Sequence, residues 1–108
     1  MQKNPGEKKA DLHIHSNCSD GIYSPEEILD RAVKGGLSII ALADHDSFAG
    51  SERALAAQRL QPRPLRVLAG LEISSILGDK EIHILGYFPK QVISPAMAEF
   101  LAQVQTER

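Results

Sequence analysis

The sequence predicts an α/β fold with its elements in the order β-α-β-α-β-β-α. Two observations carry that class. Short apolar runs bounded by turn residues alternate with segments of helical periodicity, the pattern of strands joined by helical crossovers. In addition, the run 37–43 (LSIIALA) is apolar almost throughout instead of alternating, as strands buried on both faces of a parallel sheet are. The length of 108 residues supports one domain with its own core. It falls well short of the roughly 250 residues of a complete eight-fold barrel.

Residues 1–9 are polar, include Pro5 and Gly6, and read as a disordered tail ahead of a single domain over 10–108. From Ala10 the segment ADLHIHS alternates. Leu12 and Ile14 fall on one face, and Asp11, His13 and His15 on the other, which is a short strand. Asn17 to Gly21 form a loop. Ser24-Pro25-Glu26-Glu27 then starts a helix: Ser24 suits the N-cap, Pro25 the first helical position, and Glu27 closes a capping box. Ile28, Leu29, Ala32 and Val33 form its apolar stripe, and Gly35-Gly36 ends it. The apolar strand 37–43 follows and breaks at Asp44-His45-Asp46. A second helix is expected from Ala49 to Leu60, ahead of Pro62 and Pro64. LRVLAGLEI (65–73) is a further apolar strand. EIHILGYF (81–88) is expected to pair antiparallel with it across a Gly78-Asp79 turn. Ser94-Pro95 opens a last helix with Met97, Phe100, Leu101 and Val104 on one stripe.

Composition narrows the function. Twelve Lys and Arg against fourteen Asp and Glu leave a net charge of −2, which argues against bulk duplex binding by phosphate neutralisation. A nucleotide held by metal ions stays compatible with that charge. The single cysteine, Cys18, forms no intrachain disulfide and reads as a spectator thiol. No run approaches the roughly 18 apolar residues of a membrane span, and the N-terminal segment lacks the apolar core of a signal peptide. A cytoplasmic protein is expected.

The four histidines all lie in or just after expected strands, and Glu72 ends another. In open α/β sheets and barrels, ligands bind beyond the carboxyl ends of the parallel strands. His13 and His15, two apart on a strand, project from one face and can serve one ion. With His45, His83, Asp20 and Glu72 they make four imidazoles and two carboxylates, a donor set suited to divalent metals. Asp11, placed on the face of His13, is expected to accept the free ring N–H of a ligand histidine, and Asp44 to do the same at the second strand. Taken singly, each residue has a plainer reading. Asp20 in Ser-Asp-Gly suits a turn, Glu72 a surface ion pair, and Asp44 and Asp46 a helix cap. The joint placement, with every histidine at a strand and a carboxylate ending another, favours the metal reading.

These residues sit in a longer pattern. D-L-H-I-H-S-N-C-S-D-G (11–21), S-P-E-E (24–27), A-L-A-D-H-D (41–46), G-L-E-I-S (70–74) and E-I-H-I-L-G-Y (81–87) resemble the successive N-terminal motifs of the PHP (polymerase and histidinol phosphatase) family. The resemblance implies the N-terminal half of a distorted (β/α)7 barrel with two or three divalent ions, Mn, Fe or Zn, at the carboxyl ends of its strands. His13 and His15 would bind the first ion. Glu72 would bridge first and second, His83 would complete part of the second site, and Asp20 and His45 would hold the third. It further implies hydrolysis of phosphate esters, of a phosphorylated small molecule, a nucleotide or a nucleic-acid end. The wording S-D-G, S-P-E-E and D-H-D-S-F-A-G is most similar to the stand-alone branch, with nucleoside 3′,5′-bisphosphate phosphatases and 5′-to-3′ exoribonucleases. The family's later His and Asp-x-His motifs do not occur, and no histidine follows His83. A fragment, a partner chain supplying the missing half, or a homo-oligomer joined through open strand edges is therefore expected. Two other functions compete: a PHP domain serving a DNA polymerase in proofreading or structure, and a catalytically inactive metal-binding fragment.

Overall fold

The structure is a computed structural model describing residues 8–106, so the expected tail lies, for residues 1–7, outside the described residues. Seven elements follow in the expected order: β1 (Ala10–Ile14), α1 (Pro25–Lys34), β2 (Ile39–Leu42), α2 (Ala49–Leu60), β3 (Arg66–Leu77), β4 (Lys80–Phe88) and α3 (Pro95–Thr106). The strands form one sheet in the order β1-β2-β3-β4. β1 and β2 pair parallel, as do β2 and β3, whereas β3 and β4 form an antiparallel hairpin.

Local chemistry explains most boundaries. Ser24 Oγ accepts the Glu27 backbone N–H and Glu27 answers at the Ser24 N–H, so the capping box forms as expected. At the other end the left-handed residue is Gly36, at φ 77°, and not Gly35, which stays right-handed. Leu77 and Lys80 face each other across Gly78-Asp79, and Gly78 takes φ 67°, the positive value a two-residue hairpin loop needs. The antiparallel ladder carries β3 four residues past the expected end at Ile73.

The larger buried apolar residues gather on the helical face of the sheet. Ile28, Leu29 and Ala32 of α1 and Ala54 of α2 pack on Ile40, Leu42, Leu65 and Val67, with Ile14 at the margin. Burial of a side chain such as Leu29 is worth about 1.5–3 kcal/mol. A second cluster sets Leu101 and Met97 of α3 against Phe48, Ala69, Leu71 and Phe88. The expected α3 stripe is covered on one side only: Leu101 is buried but Phe100 is 46% exposed.

The opposite face carries no helix among the described residues, and the sheet curls around it. Tyr87 on β4 reaches over two strands to donate its hydroxyl to Leu12 O on β1 at 2.6 Å. Gly70 makes this possible, because a Cβ there would lie 3.2 Å from the Tyr87 ring and 3.1 Å from Leu42 O. No helix among the described residues is long and apolar enough to cross a membrane.

Candidate metal centre

Register decides which side chains meet on the open face. The β2–β3 ladder runs past Leu42↔Ala69 to an isolated bridge at His45↔Glu72. It is closed by Glu72 N–H to Asp44 O at 2.9 Å and Asp46 N–H to Glu72 O at 2.7 Å. His45 and Glu72 therefore stand side by side. The next ladder sets Ser74 opposite His83 and Glu72 opposite Leu85, which brings His83 diagonally to Glu72. β1 supplies His13, and His15 just beyond its end.

The result is a row of four imidazoles around one carboxylate. Ring centroids are 5.1 Å apart for His13 and His15, 4.4 Å for His15 and His45, and 5.7 Å for His45 and His83. Glu72, 3% exposed, is the hub. Its Oε1 lies 2.7 Å from His13 Nε2 and 2.9 Å from His15 Nε2, and its Oε2 bonds His83 Nδ1. Asp20 closes the far end, with Oδ1 2.8 Å from His15 Nδ1 and Oδ2 3.2 Å from His45 Nε2. All six residues expected as metal donors are thus in one cluster. They form three overlapping donor groups: His13, His15 and Glu72; His15, Asp20 and His45; and His45, Glu72 and His83. Within each group the donor atoms lie within 4.8 Å of one another.

Electrostatics follow from this crowding. Burial alone would raise the Glu72 pKa, but hydrogen bonds from His13, His83 and His15 and the charge of His45 hold it at about 2. At Asp20 desolvation is likewise the largest single effect and raises the pKa, but the His15 bond and the charges of His15 and His45 together outweigh it, so its pKa is lowered. The His83 pKa is raised, chiefly by its bond to Glu72 and further by Glu81.

Two expectations need correction. The β1–β2 register slips between Asp11↔Ile40 and Ile14↔Leu42, where three residues of one strand match two of the other. This bulge puts Asp11 on the helical face with Ile14, away from His13 and His15. Its carboxylate accepts the His13 backbone N–H at 3.2 Å, not a ring N–H. Asp44 does not orient an imidazole either. Buried to 1% exposure, it accepts from Ser16 N (2.6 Å), Ser16 Oγ (2.7 Å) and Ser19 Oγ (2.8 Å). It ties the β1–α1 loop, and with it Asp20, to the end of β2. Two glycines give that loop its room. A Cβ on Gly50 would overlap Asp44 Oδ2, and one on Gly21 would overlap the His15 carbonyl oxygen. Ser16, Ser19, Gly21 and Gly50 are the positions that sequence reasoning missed. Serines flanking the His-x-His segment were the available signal.

Comparison with known proteins places this geometry. The PHP domain family matches residues 11–105. The chain is 40% identical over 98 residues to the 5′-3′ exoribonuclease Rnm of Salmonella typhimurium, covering 91% of this chain and 33% of that protein. It is 40% identical over 101 residues to the 3′,5′-nucleoside bisphosphate phosphatase of Chromobacterium violaceum, with the same coverage of 91% and 33%. Among solved structures, an amidohydrolase from Chromobacterium violaceum with bound sulfate and no metal superposes with a TM-score of 0.78 at 35% identity. That match covers 91% of this chain and 34% of the other. The chain spans about a third of the length of these two enzymes.

Proposed function

Because the chain belongs to the PHP domain family, we propose that it forms the metal-holding part of a phosphoesterase acting on nucleotides or nucleic-acid ends. The observation that carries this reading is Glu72, one buried carboxylate on which three imidazoles converge while Asp20 engages two from the other side. Four imidazole and two carboxylate ligands fit Mn²⁺, Fe²⁺ or Zn²⁺. His13, His15 and Glu72 would hold one ion, Glu72 and His83 a second, and Asp20 and His45 a third. Such ions supply Lewis acidity toward a phosphoryl oxygen and toward the attacking water.

The chain's own residues prepare the place. Glu72 brings a negative charge to the centre of the row, and its low pKa keeps that charge through the physiological range. Asp44 and its serines hold the loop carrying Asp20 at a fixed distance from His45. His13 and His83 have side chains 50% and 42% exposed, so the cluster opens to solvent where a phosphate would enter. Relatives named for exoribonuclease and nucleoside bisphosphate phosphatase activities support a phosphorylated nucleotide or RNA end as substrate. The reaction belongs in the cytoplasm, where such substrates occur and Cys18 stays reduced. Among the described residues the outer edges of β1 and β4 have no strand beside them, and they offer surfaces for further barrel strands or a second copy.

The test is hydrolysis by the Mn²⁺-loaded protein, read as phosphate release from a nucleoside 3′,5′-bisphosphate, as nucleoside monophosphate release from a 5′-phosphorylated RNA oligomer, and as p-nitrophenolate release from bis(p-nitrophenyl) phosphate as a generic ester. Release should require added metal and vanish in Glu72→Gln and His15→Ala. Stoichiometric metal uptake without turnover on any of the three would establish the inert metal-binding alternative. Unchanged turnover in Glu72→Gln would remove the proposed centre.

A further inference from the structure

An imidazole that ligates an ion through one nitrogen must direct the other somewhere, and that second contact sets which nitrogen keeps the proton. His15 divides its nitrogens between Glu72 and Asp20, both within the donor groups. His45 faces Asp20 with Nε2 at 3.2 Å and Glu72 with Nδ1 at 3.8 Å. His83 differs. Its Nδ1 meets Glu72, and its Nε2 lies 3.1 Å from Oε1 of Glu81, a residue in none of the three groups.

We propose that Glu81 is a positioning residue that orients His83 and holds its proton on Nε2, so that Nδ1 is the nitrogen presented to a divalent ion. This inference rests on the metal-holding reading above. β4 is an edge strand of the sheet, and the His83 side chain is 42% exposed, so packing does not fix the ring. The fixed point comes from the strand itself. Residues two apart share a face, and the register confirms it, with Glu81 opposite Ile76 and His83 opposite Ser74. Without an ion both nitrogens face carboxylates, Nδ1 toward Glu72 and Nε2 toward Glu81. A carboxylate facing Nε2 accepts an N–H and repels a lone pair, so when an ion displaces the proton that Nδ1 shares with Glu72, the proton that stays is the one on Nε2. This is the orienting role expected of Asp11 and Asp44, and it is filled by a residue two before a histidine on a different strand.

The experiment titrates Zn²⁺ into metal-stripped protein against a chromophoric chelator, with the ring ¹⁵N shifts of the four histidines followed in parallel. In the wild-type chain the His83 Nδ1 signal should move on binding while Nε2 stays protonated. Glu81→Ala should weaken the step that moves His83 by about 10- to 100-fold, the usual effect of losing such a partner, and leave the step that moves His13 in place. Glu81→Gln should restore most of the affinity, because its amide oxygen accepts the same N–H. A Glu81→Ala chain that binds like wild type overturns the proposal. So does a Glu81→Gln chain as weak as Glu81→Ala, which would make Glu81 a ligand. A wild-type chain that takes up no Zn²⁺ overturns the underlying metal reading instead.

Discussion

Replacing Gly50 with alanine sets two effects against each other, and the structure decides the sign. Gly50 lies in the first turn of α2, where helix propensity by itself favours alanine by up to about 1 kcal/mol. A Cβ there would overlap Asp44 Oδ2 and stand 2.9 Å from Ser16 Oγ. Asp44 is buried and accepts three hydrogen bonds at 2.6–2.8 Å, so it cannot yield without losing at least one of them. A lost hydrogen bond to a charged group costs about 2 kcal/mol. Overpacking adds about 2 kcal/mol. Less the propensity gain of at most about 1, the net destabilisation is about 3 kcal/mol. Urea unfolding followed by circular dichroism measures it. With an m-value of about 1.5 kcal/mol/M, the midpoint should fall by about 2 M at unchanged slope. In an Asp44→Ala background the overlap is gone, and Gly50→Ala should be neutral or stabilising. A Gly50→Ala chain as stable as wild type, or more so, would refute the tight Asp44–Gly50 packing that anchors the loop of Asp20.

Three further outcomes are expected. Gly21→Ala, whose Cβ would overlap the His15 carbonyl, should displace Asp20 and lower metal stoichiometry by about one ion per chain, as read by elemental analysis. Ser24→Ala should remove the capping box of α1 and lower stability by about 1 kcal/mol without changing metal uptake. In metal-stripped protein the Glu72–His83 pair should give a stability maximum in pH. The Glu72 contribution is complete above its ordinary value of 4.5 and is lost as pH falls toward about 2. The His83 contribution is complete below 6.5 and is lost as pH rises through its raised pKa. Melting temperature against pH should therefore be highest between about 4.5 and 6.5, and Glu72→Gln should flatten the profile.

The membership of the His–carboxylate cluster was legible in the sequence, because His-x-His, Asp-His-Asp, Gly-Leu-Glu and Glu-x-His each stand in or just after a recognisable strand. Which residues support them was not. The two orienting carboxylates expected from spacing, Asp11 and Asp44, serve a backbone N–H and a loop instead, and Glu81 takes the role on β4. Period-two alternation assumes an unbroken strand, and the bulge before Ile14 reverses the face of everything N-terminal to it.

By itself the sequence determined what depends on a few neighbouring residues. The α1 capping box, the Gly36 stop, the Gly78-Asp79 hairpin and the apolar character of β2 are short-range properties of backbone conformation and burial. Only the tertiary structure decided what depends on pairing across the sheet. Glu72 meets His13 and His15 from 59 and 57 residues away, and Asp44 meets Ser16 from 28. Those meetings are set by strand register and by the room left at Gly21, Gly50 and Gly70. A one-residue slip in register would turn Glu72 from the open face into the helical core. That makes the hub of the cluster a property of the assembled sheet and not of any one segment.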